Sequence, residues 1–146
     1  MALIEREIVV TASVEDAFDY VANFESCEEW DPGVVSSKRD GPGPAGSGTT
    51  YSVLVDFNGR SLPMTYEVTA WEPPHRVVLV GTGSTVRGVD EITFSPEPGG
   101  GTRISYRADI RMRGLLRPIT PLLRDRLEAL GDAAMTGMLE AFAKRA

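Results

Sequence analysis

The last thirty residues carry a hydrophobic pattern that predicts one long amphipathic helix. Apolar residues recur there at intervals of three and four, while acidic and polar residues fall on the opposite side, so one face of the helix should be buried. We expect Thr120 to cap this helix and Pro121 to take its first position, where the N–H that proline lacks would be unpaired anyway. The apolar stripe consists of Leu123, Leu127, Leu130, Ala134, Met138 and Ala141.

Gly131 and Gly137 interrupt the predicted helix. A glycine in a helix interior costs about 1 kcal/mol relative to alanine. Their presence therefore predicts close packing of the helix onto the sheet, with a bend or space left for another group as the alternatives.

The N-terminal region predicts a strand followed by two short helices. Apolar residues alternate with polar ones over residues 4–10, which indicates a strand that ends at Ser13. Ser13 is placed to cap a helix over residues 14–22. A second helical turn over residues 26–30 should end before Pro32, since the residue before a proline is disfavoured in the α conformation. We expect Trp30 to point into the fold.

Residues 34–113 contain six strand-like stretches separated by turn sequences. No helical periodicity there is strong enough for a βαβ crossover, so the sheet should be antiparallel. Asn58-Gly59 is typical of a type I′ hairpin turn, and residues 81–84 predict another turn. The order of elements predicts an α+β fold in one domain over residues 1–146, with a curved seven-stranded antiparallel sheet wrapped around the C-terminal helix.

Charge and composition narrow the classes of partner. The net charge of −6 and the isoelectric point near 4.8 argue against nucleic acid as a partner, because phosphate backbones are bound by clustered Lys and Arg. Cys27 is the single cysteine, and no apolar run or N-terminal signal pattern stands out, so we expect a cytoplasmic protein without stable membrane insertion. We expect a monomer or weak homodimer.

The sequence contains no pattern typical of a metal or nucleotide site. His75 is the one histidine, and it has no Cys, His or carboxylate neighbours at metal-ligand spacing. The glycine-rich stretches at residues 81–83 and 99–101 join strands, so neither lies at a helix start where it would cradle a phosphate. We therefore expect no metal and no cofactor.

Several local motifs, together with the order of elements, resemble the START-like superfamily, and more narrowly the polyketide cyclase/dehydrase and lipid-transport branch of the SRPBCC proteins. The motifs are Ala-Ser-Val-Glu-Asp-Ala-Phe at residues 12–18, Trp30 with Pro32, and Gly-Gly-Thr-Arg at residues 100–103. The resemblance covers essentially the whole chain and implies a helix-grip, Bet v 1-like fold with a deep apolar cavity between sheet and helix. Such proteins include hydrophobic-ligand binders, aromatase/cyclases, quinone-binding proteins and chaperone-associated domains, so the fold alone does not select a function.

Strand alternation indicates which side chains would line that cavity. Several phenols fall on the apolar face, and a buried phenol needs a hydrogen-bond partner, which favours a polar ligand group or ordered water there. Packing in the core is the alternative role for each of these residues. The predicted cavity residues are Trp30, Tyr51, Phe57, Met64, Tyr66, Asp90, Tyr106, Ala108, Met112 and Met138.

Asp90 is the carboxylate whose register is unusual. It shares a strand face with Ile92 and Phe94 and should therefore point inward, unless a bulge at Gly88 turns it to solvent. An inward carboxyl would have a raised pKa because burial disfavours its charged form. It would then be a candidate general acid or base.

These observations leave three functional classes open. We favour a binding protein for a small hydrophobic molecule of polycyclic, isoprenoid or acyl type, because that function requires only the cavity. The second class is a polyketide cyclase or dehydratase that uses Asp90 with Tyr66 or Tyr106 for proton transfer. The third is a protein-interaction module that uses the arginine stripe of the last strand, formed by Arg103, Arg107, Arg111 and Arg113.

Overall fold

A computed structural model describes residues 2–57 and 59–146. In chain order the elements are β1 (Ala2–Val10), α1 (Val14–Ala22), a 3₁₀ turn (Phe24–Ser26), α2 (Cys27–Trp30), β2 (Val34–Arg39), β3 (Thr50–Phe57), β4 (Arg60–Glu72), β5 (Arg76–Thr82), β6 (Val86–Pro96), β7 (Thr102–Met112), the 3₁₀ segment (Gly114–Leu123) and α3 (Arg124–Arg145).

The strands form one seven-stranded antiparallel sheet over the described residues, in the order β1-β7-β6-β5-β4-β3-β2. Strands β2 to β6 each pair with the next strand along the chain, and β1 pairs with β7 at the opposite edge from β2. The helix α3 packs against β1 and α2. The predicted α+β fold, a curved sheet around a long C-terminal helix with two short helices after the first strand, is confirmed.

The start of α1 and the end of α2 follow the sequence signals. The Ser13 Oγ atom accepts a hydrogen bond from the Asp16 backbone N–H at 3.1 Å, which caps α1 as predicted. Helix α2 ends at Trp30, whose side chain is fully buried and whose indole N–H donates to the Ser26 hydroxyl at 3.0 Å. The inward position of Trp30 is therefore confirmed.

The predicted start of the C-terminal helix is wrong. Thr120 and Pro121 lie in the 3₁₀ segment, and α3 begins at Arg124 without a side-chain cap. The Thr120 hydroxyl instead accepts from the Met112 backbone N–H at 3.0 Å and donates to the Arg117 carbonyl at 2.8 Å. That hydroxyl ties the 3₁₀ segment to the end of β7, so it does not cap a helix.

The two predicted turns have different outcomes. Gly81 is not a turn residue, because β5 continues through it to Thr82. The Tyr66 ring lies against Gly81, where an added Cβ would be 2.5 Å from two ring carbons, so the missing side chain makes room for the phenol. The Asn58-Gly59 turn falls partly outside the described residues, since Asn58 is not described; Phe57 and Arg60 pair across it.

The predicted close packing of α3 onto the sheet is confirmed at Gly131 and wrong at Gly137, which packs against α2 instead. At Gly137 an added Cβ would overlap the Trp30 carbonyl oxygen, which is backbone and cannot rotate away. At Gly131 the nearest atom is the Ile4 Cγ2 methyl at 2.8 Å, which belongs to a side chain on β1. The glycines thus let the α3 backbone contact α2 at one point and β1 at another.

We expect Gly137→Ala to lower the free energy of unfolding by roughly 2 to 4 kcal/mol, because overpacking against a fixed carbonyl outweighs the helix propensity gained by alanine. Gly131→Ala is the matched control in the same helix, and its effect should be less than half as large because the Ile4 side chain can shift. Urea unfolding of the three proteins measures the difference. Equal effects, or stabilisation by Gly137→Ala, would contradict the packing described here.

Candidate functional site

A cavity of about 220 Å³ lies between the sheet and α3. Its walls come from every strand except β5, from α3, from the 3₁₀ turn and the 3₁₀ segment, and from the turns before β2 and β6. Most of the lining side chains are apolar. The polar groups that border it include Arg6, Asp31, Tyr66, Asp90 and Tyr106.

Seven of the ten predicted cavity residues border this cavity. They come from four different strands, and the antiparallel register brings them to one face of the sheet. These seven are Phe57, Met64, Tyr66, Asp90, Tyr106, Ala108 and Met112.

Trp30, Tyr51 and Met138 do not border the cavity and are fully buried in the core. The Trp30 ring contacts Phe24 and Tyr106 edge to face, and the Tyr51 hydroxyl donates to the Asn23 side chain at 3.4 Å. The close contact between α3 and α2 fills this end of the fold, so aromatic rings and Met138 leave no open space there.

Asp90 points inward. The pairing of β6 with β5 and with β7 is regular through Gly88, so no bulge turns Asp90 to solvent, and its residue exposure is 7%. The Tyr106 hydroxyl donates a hydrogen bond to the Asp90 Oδ2 atom. No ion pair joins Asp90 to a cation among residues 2–57 and 59–146.

Burial raises the pKa of Asp90 to about 6. The Tyr106 hydrogen bond opposes this shift in pKa because it stabilises the charged carboxylate, whereas the negative charge of Asp31 adds to it. Burial also raises the pKa of both Tyr66 and Tyr106 well above 10, with the Asp90 charge as the next cause. The phenols therefore remain protonated hydrogen-bond donors at neutral pH.

Tyr66 has a donor to offer a ligand. Its ring is held against Gly81, and its hydroxyl makes no hydrogen bond to another residue in the described part of the chain. A polar atom that borders a cavity without a protein partner is free to bond a ligand or water.

Asp31 is a cavity residue that the strand alternation does not identify. It follows α2 directly, and its Oδ1 atom accepts a hydrogen bond from the Gly33 N–H at 2.8 Å. Burial raises the pKa of Asp31 to about 6. The available signal was the sequence Asp31-Pro32-Gly33, a turn that fixes the carboxyl next to its own backbone.

Arg6 borders the cavity, and its guanidinium forms ion pairs with α3. Its guanidinium binds Asp132 at 2.6 Å and Glu128 at 2.9 Å. This explains how an arginine interrupts the apolar face of β1. The side chain links the edge strand to α3 while it covers one side of the cavity.

Cys27 and the arginines of the last strand lie outside the cavity lining. Cys27 is fully buried, and burial raises the pKa of its thiol, so the reactive thiolate is disfavoured. No group of three or more Cys, His or acidic side chains capable of holding a metal occurs within the residues described. On the outer face of β7, Arg103 is paired with Glu7 and Glu97, and Arg111 lies 3.6 Å from Asp109.

The site therefore combines two carboxyl groups and two neutral phenols with an apolar cavity. It offers hydrogen-bond donors from the phenols, an acceptor at Asp90, and carboxyl groups that change protonation near pH 6.

Among the described helices, none is long and apolar enough to span a bilayer.

Comparisons with known proteins agree with this architecture. An uncharacterized protein of Mycobacterium tuberculosis is 29% identical over 121 residues, which cover 82% of this chain and 83% of that protein. A START superfamily protein from Mycobacterium smegmatis has a TM-score of 0.76 at 16% identity, with 97% of this chain and 99% of that chain covered. The Zhui aromatase/cyclase from Streptomyces sp. R1128 has a TM-score of 0.74 at 15% identity, with 98% of this chain and 92% of that chain covered.

At these identities the solved structures establish the fold alone, and the START-like fold expected from the sequence is confirmed. The family follows from the sequence itself, because residues 1–146 match the sequence model of the family described as polyketide cyclase/dehydrase and lipid transport. The chain belongs to the polyketide cyclase/dehydrase and lipid transport family.

Proposed function

We propose that the protein binds a small, uncharged hydrophobic molecule that carries a hydroxyl or carbonyl group. The observation that carries this proposal is the hydrogen bond from Tyr106 to Asp90, which places a polar pair in the wall of a mostly apolar cavity. The apolar wall would bury the ligand's hydrocarbon part, and the polar pair would orient it.

The polar groups favour a ligand with hydrogen-bonding atoms over a pure hydrocarbon. Tyr66 lines the cavity, and its hydroxyl makes no hydrogen bond within the described chain, so it can donate to a ligand carbonyl. Asp90 retains acceptor capacity beyond its bond to Tyr106, since a carboxylate has about four lone-pair sites. A ligand hydroxyl could donate to that carboxylate.

The charges in the cavity wall disfavour an acidic ligand. Asp31, Asp90 and the more exposed Asp56 all border the cavity, and a ligand carboxylate would add a further negative charge to this acidic wall. Arg6 does not offset this, because Asp132 and Glu128 already bind its guanidinium. Neutral polycyclic, isoprenoid or esterified acyl molecules therefore fit better than free fatty acids.

A second candidate is a cyclase or dehydratase, favoured by the raised pKa of Asp90 beside a neutral phenol. The Asp90 carboxylate would take a proton from the carbon next to a ligand carbonyl, and the Tyr66 hydroxyl would stabilise the resulting enolate oxygen. The Zhui protein, whose name describes an aromatase/cyclase, has the same fold. This activity requires turnover in addition to the binding proposed above.

The binding proposal predicts discrimination between two naphthalene ligands, one with a neutral hydroxyl group and one with a charged carboxylate. At neutral pH, 2-naphthol should bind at least about tenfold more tightly than 2-naphthoate, a difference of about 1.4 kcal/mol, because the naphthoate charge meets the acidic side chains of the cavity wall. Isothermal titration calorimetry measures both affinities. Equal affinities, or tighter binding of naphthoate, would contradict the proposed ligand class.

The same titrations locate the site with two tryptophan variants. Ala108 borders the cavity, so Ala108→Trp should abolish 2-naphthol binding by filling the space. Arg107→Trp is the matched control, since Arg107 is the adjacent residue on the exposed face of β7. Circular dichroism and thermal melting establish that both variants fold. Binding that survives in a folded Ala108→Trp variant would place the site elsewhere.

The enzyme candidate predicts Asp90-dependent exchange of a carbon-bound proton. With 2-acetylnaphthalene in D₂O, the protein should speed deuterium incorporation into the methyl group by about 10²-fold or more, and Asp90→Asn should remove this acceleration. Proton NMR follows the loss of the methyl signal. Asp19→Asn is the control, because Asp19 is exposed on α1. If the protein binds 2-naphthol normally but does not speed deuterium exchange into 2-acetylnaphthalene, the enzyme candidate is wrong and the binding proposal stands.

The buried carboxyl also predicts a pH-dependent stability. The folded pKa of Asp90, about 6, exceeds the unfolded value of about 3.9, so its stabilising contribution is complete below about pH 4 and is lost as pH rises to about 6. Asp90→Asn should therefore match the wild type near pH 4 and be more stable by about 2 to 3 kcal/mol near pH 7.

Urea unfolding at several pH values measures this difference, with Asp19→Asn as the control that should show no such trend. NMR titration of the Asp90 carboxyl carbon gives the pKa directly, and Tyr106→Phe should raise that pKa further because the hydrogen bond that favours the carboxylate is removed. A wild-type pKa at or below about 4 would remove Asp90 from the proposed chemistry.

A further inference from the structure

The 3₁₀ segment exposes an unusual group of large apolar side chains. Leu115 is 98% exposed and Leu122 is 82% exposed, and Leu116 and Ile119 are also exposed. Four of the seven exposed large apolar residues in the described chain thus fall within ten consecutive positions. Single exposed apolar residues are common, but such a group marks an interaction surface.

The same part of the chain is strongly basic. Residues 111–126 contain five arginines and one acidic residue, although the whole chain has a net charge of −6. The Arg117 guanidinium has no partner within the described residues, and Arg124 is mostly exposed, with Glu128 at 3.9 Å. The exposed leucines are therefore flanked by cationic groups that can reach an anionic partner.

The 3₁₀ segment also borders the cavity. Its residues Thr120 and Leu123 form part of the cavity wall, next to Met112 at the end of β7. At this end the lining residues Phe57 and Leu123 are only partly buried, whereas the opposite end is filled by buried aromatic rings. A surface that covers the leucines would therefore face the more open end of the cavity.

We propose that the 3₁₀ segment docks on the surface of an anionic lipid bilayer. The exposed leucines enter the interfacial region, and Arg117 and Arg124 bind lipid phosphates. Exposed apolar side chains surrounded by Arg are the combination that binds anionic membrane surfaces without spanning them. Docking in this position would let a hydrophobic ligand pass between the bilayer and the cavity with little exposure to water.

A bilayer fits this surface better than a second copy of the chain does. In a twofold dimer the same patch faces itself, so the arginines of both copies would be brought together. The patch is also short, ten residues in one segment, whereas a stable protein interface buries about 800 Å² on each partner. A fluid bilayer accepts protruding leucines without a complementary groove.

The test is flotation of the full chain with two kinds of vesicle. Vesicles that contain about one third phosphatidylglycerol in phosphatidylcholine should bind the protein, and pure phosphatidylcholine vesicles should not, because the arginines require anionic lipid. Leu115→Ser with Leu122→Ser should reduce binding at least about tenfold. The matched control is Val9→Ser with Val35→Ser, which changes two exposed apolar residues on the edge strands β1 and β2.

Two double variants that each remove two arginines complete the test. Arg117→Gln with Arg124→Gln should weaken binding about tenfold or more, while Arg87→Gln with Arg107→Gln, on exposed strand positions, should have little effect. Thermal melts establish that each variant folds, which is expected because all the substituted side chains lie at exposed positions.

Loss of binding in the Leu115/Leu122 and Arg117/Arg124 variants, with both controls unaffected, would support the proposal. Three results would overturn it: no binding to anionic vesicles, equal loss in the control variants, or binding that depends on the arginines and not on the leucines. A dimer in analytical ultracentrifugation that Leu115→Ser with Leu122→Ser dissociates, without vesicle binding, would assign the surface to a second copy.

Discussion

The contact between the α3 backbone at Gly137 and the Trp30 carbonyl is the constraint on which the rest of the structure depends. It brings the long helix against α2, and Gly131 does the same against Ile4 on β1. Arg6 adds ion pairs from β1 to α3. With the helix held in these positions, side chains fill the space where α3 contacts α2, and a cavity remains toward the 3₁₀ segment. The cavity is thus a consequence of where the helix can approach the sheet and where it cannot.

The polar groups of the site follow from the regular pleat of the sheet. Because no bulge interrupts β6 at Gly88, Asp90 must point to the same side of the sheet as Ile92 and Phe94. The carboxyl is then buried beside Tyr106 without a cation among the described residues, and its pKa rises to about 6. The destabilising effect of an uncompensated carboxylate is tolerated because the remaining core is large and apolar. Such a group is of use when a ligand or a proton must be bound.

The two ends of the cavity have different chemistry. The closed end contains aromatic rings that contact one another edge to face, including Phe24 and Trp30. The other, more open end is bordered by the 3₁₀ segment, where Pro118 and Pro121 prevent an extension of α3 because proline lacks the backbone N–H of a helical residue. The leucines of that segment consequently remain outside the core. This asymmetry connects ligand binding in the cavity with docking at its open end.

The sequence by itself determined the parts of the structure that depend on local pattern. Periods of two and 3.6 identified the strands, the order of elements and the buried side of α3, and the face of Asp90 followed from alternation. Tertiary structure decided the rest, because the relevant distances join residues far apart in the chain. Gly81 is a strand residue that accommodates the Tyr66 ring, Thr120 ties the 3₁₀ segment to β7, and Asp31 enters the cavity from a turn. Whether an inward side chain lines the cavity or fills the core depends on how closely α3 approaches it, which no periodicity along the chain records.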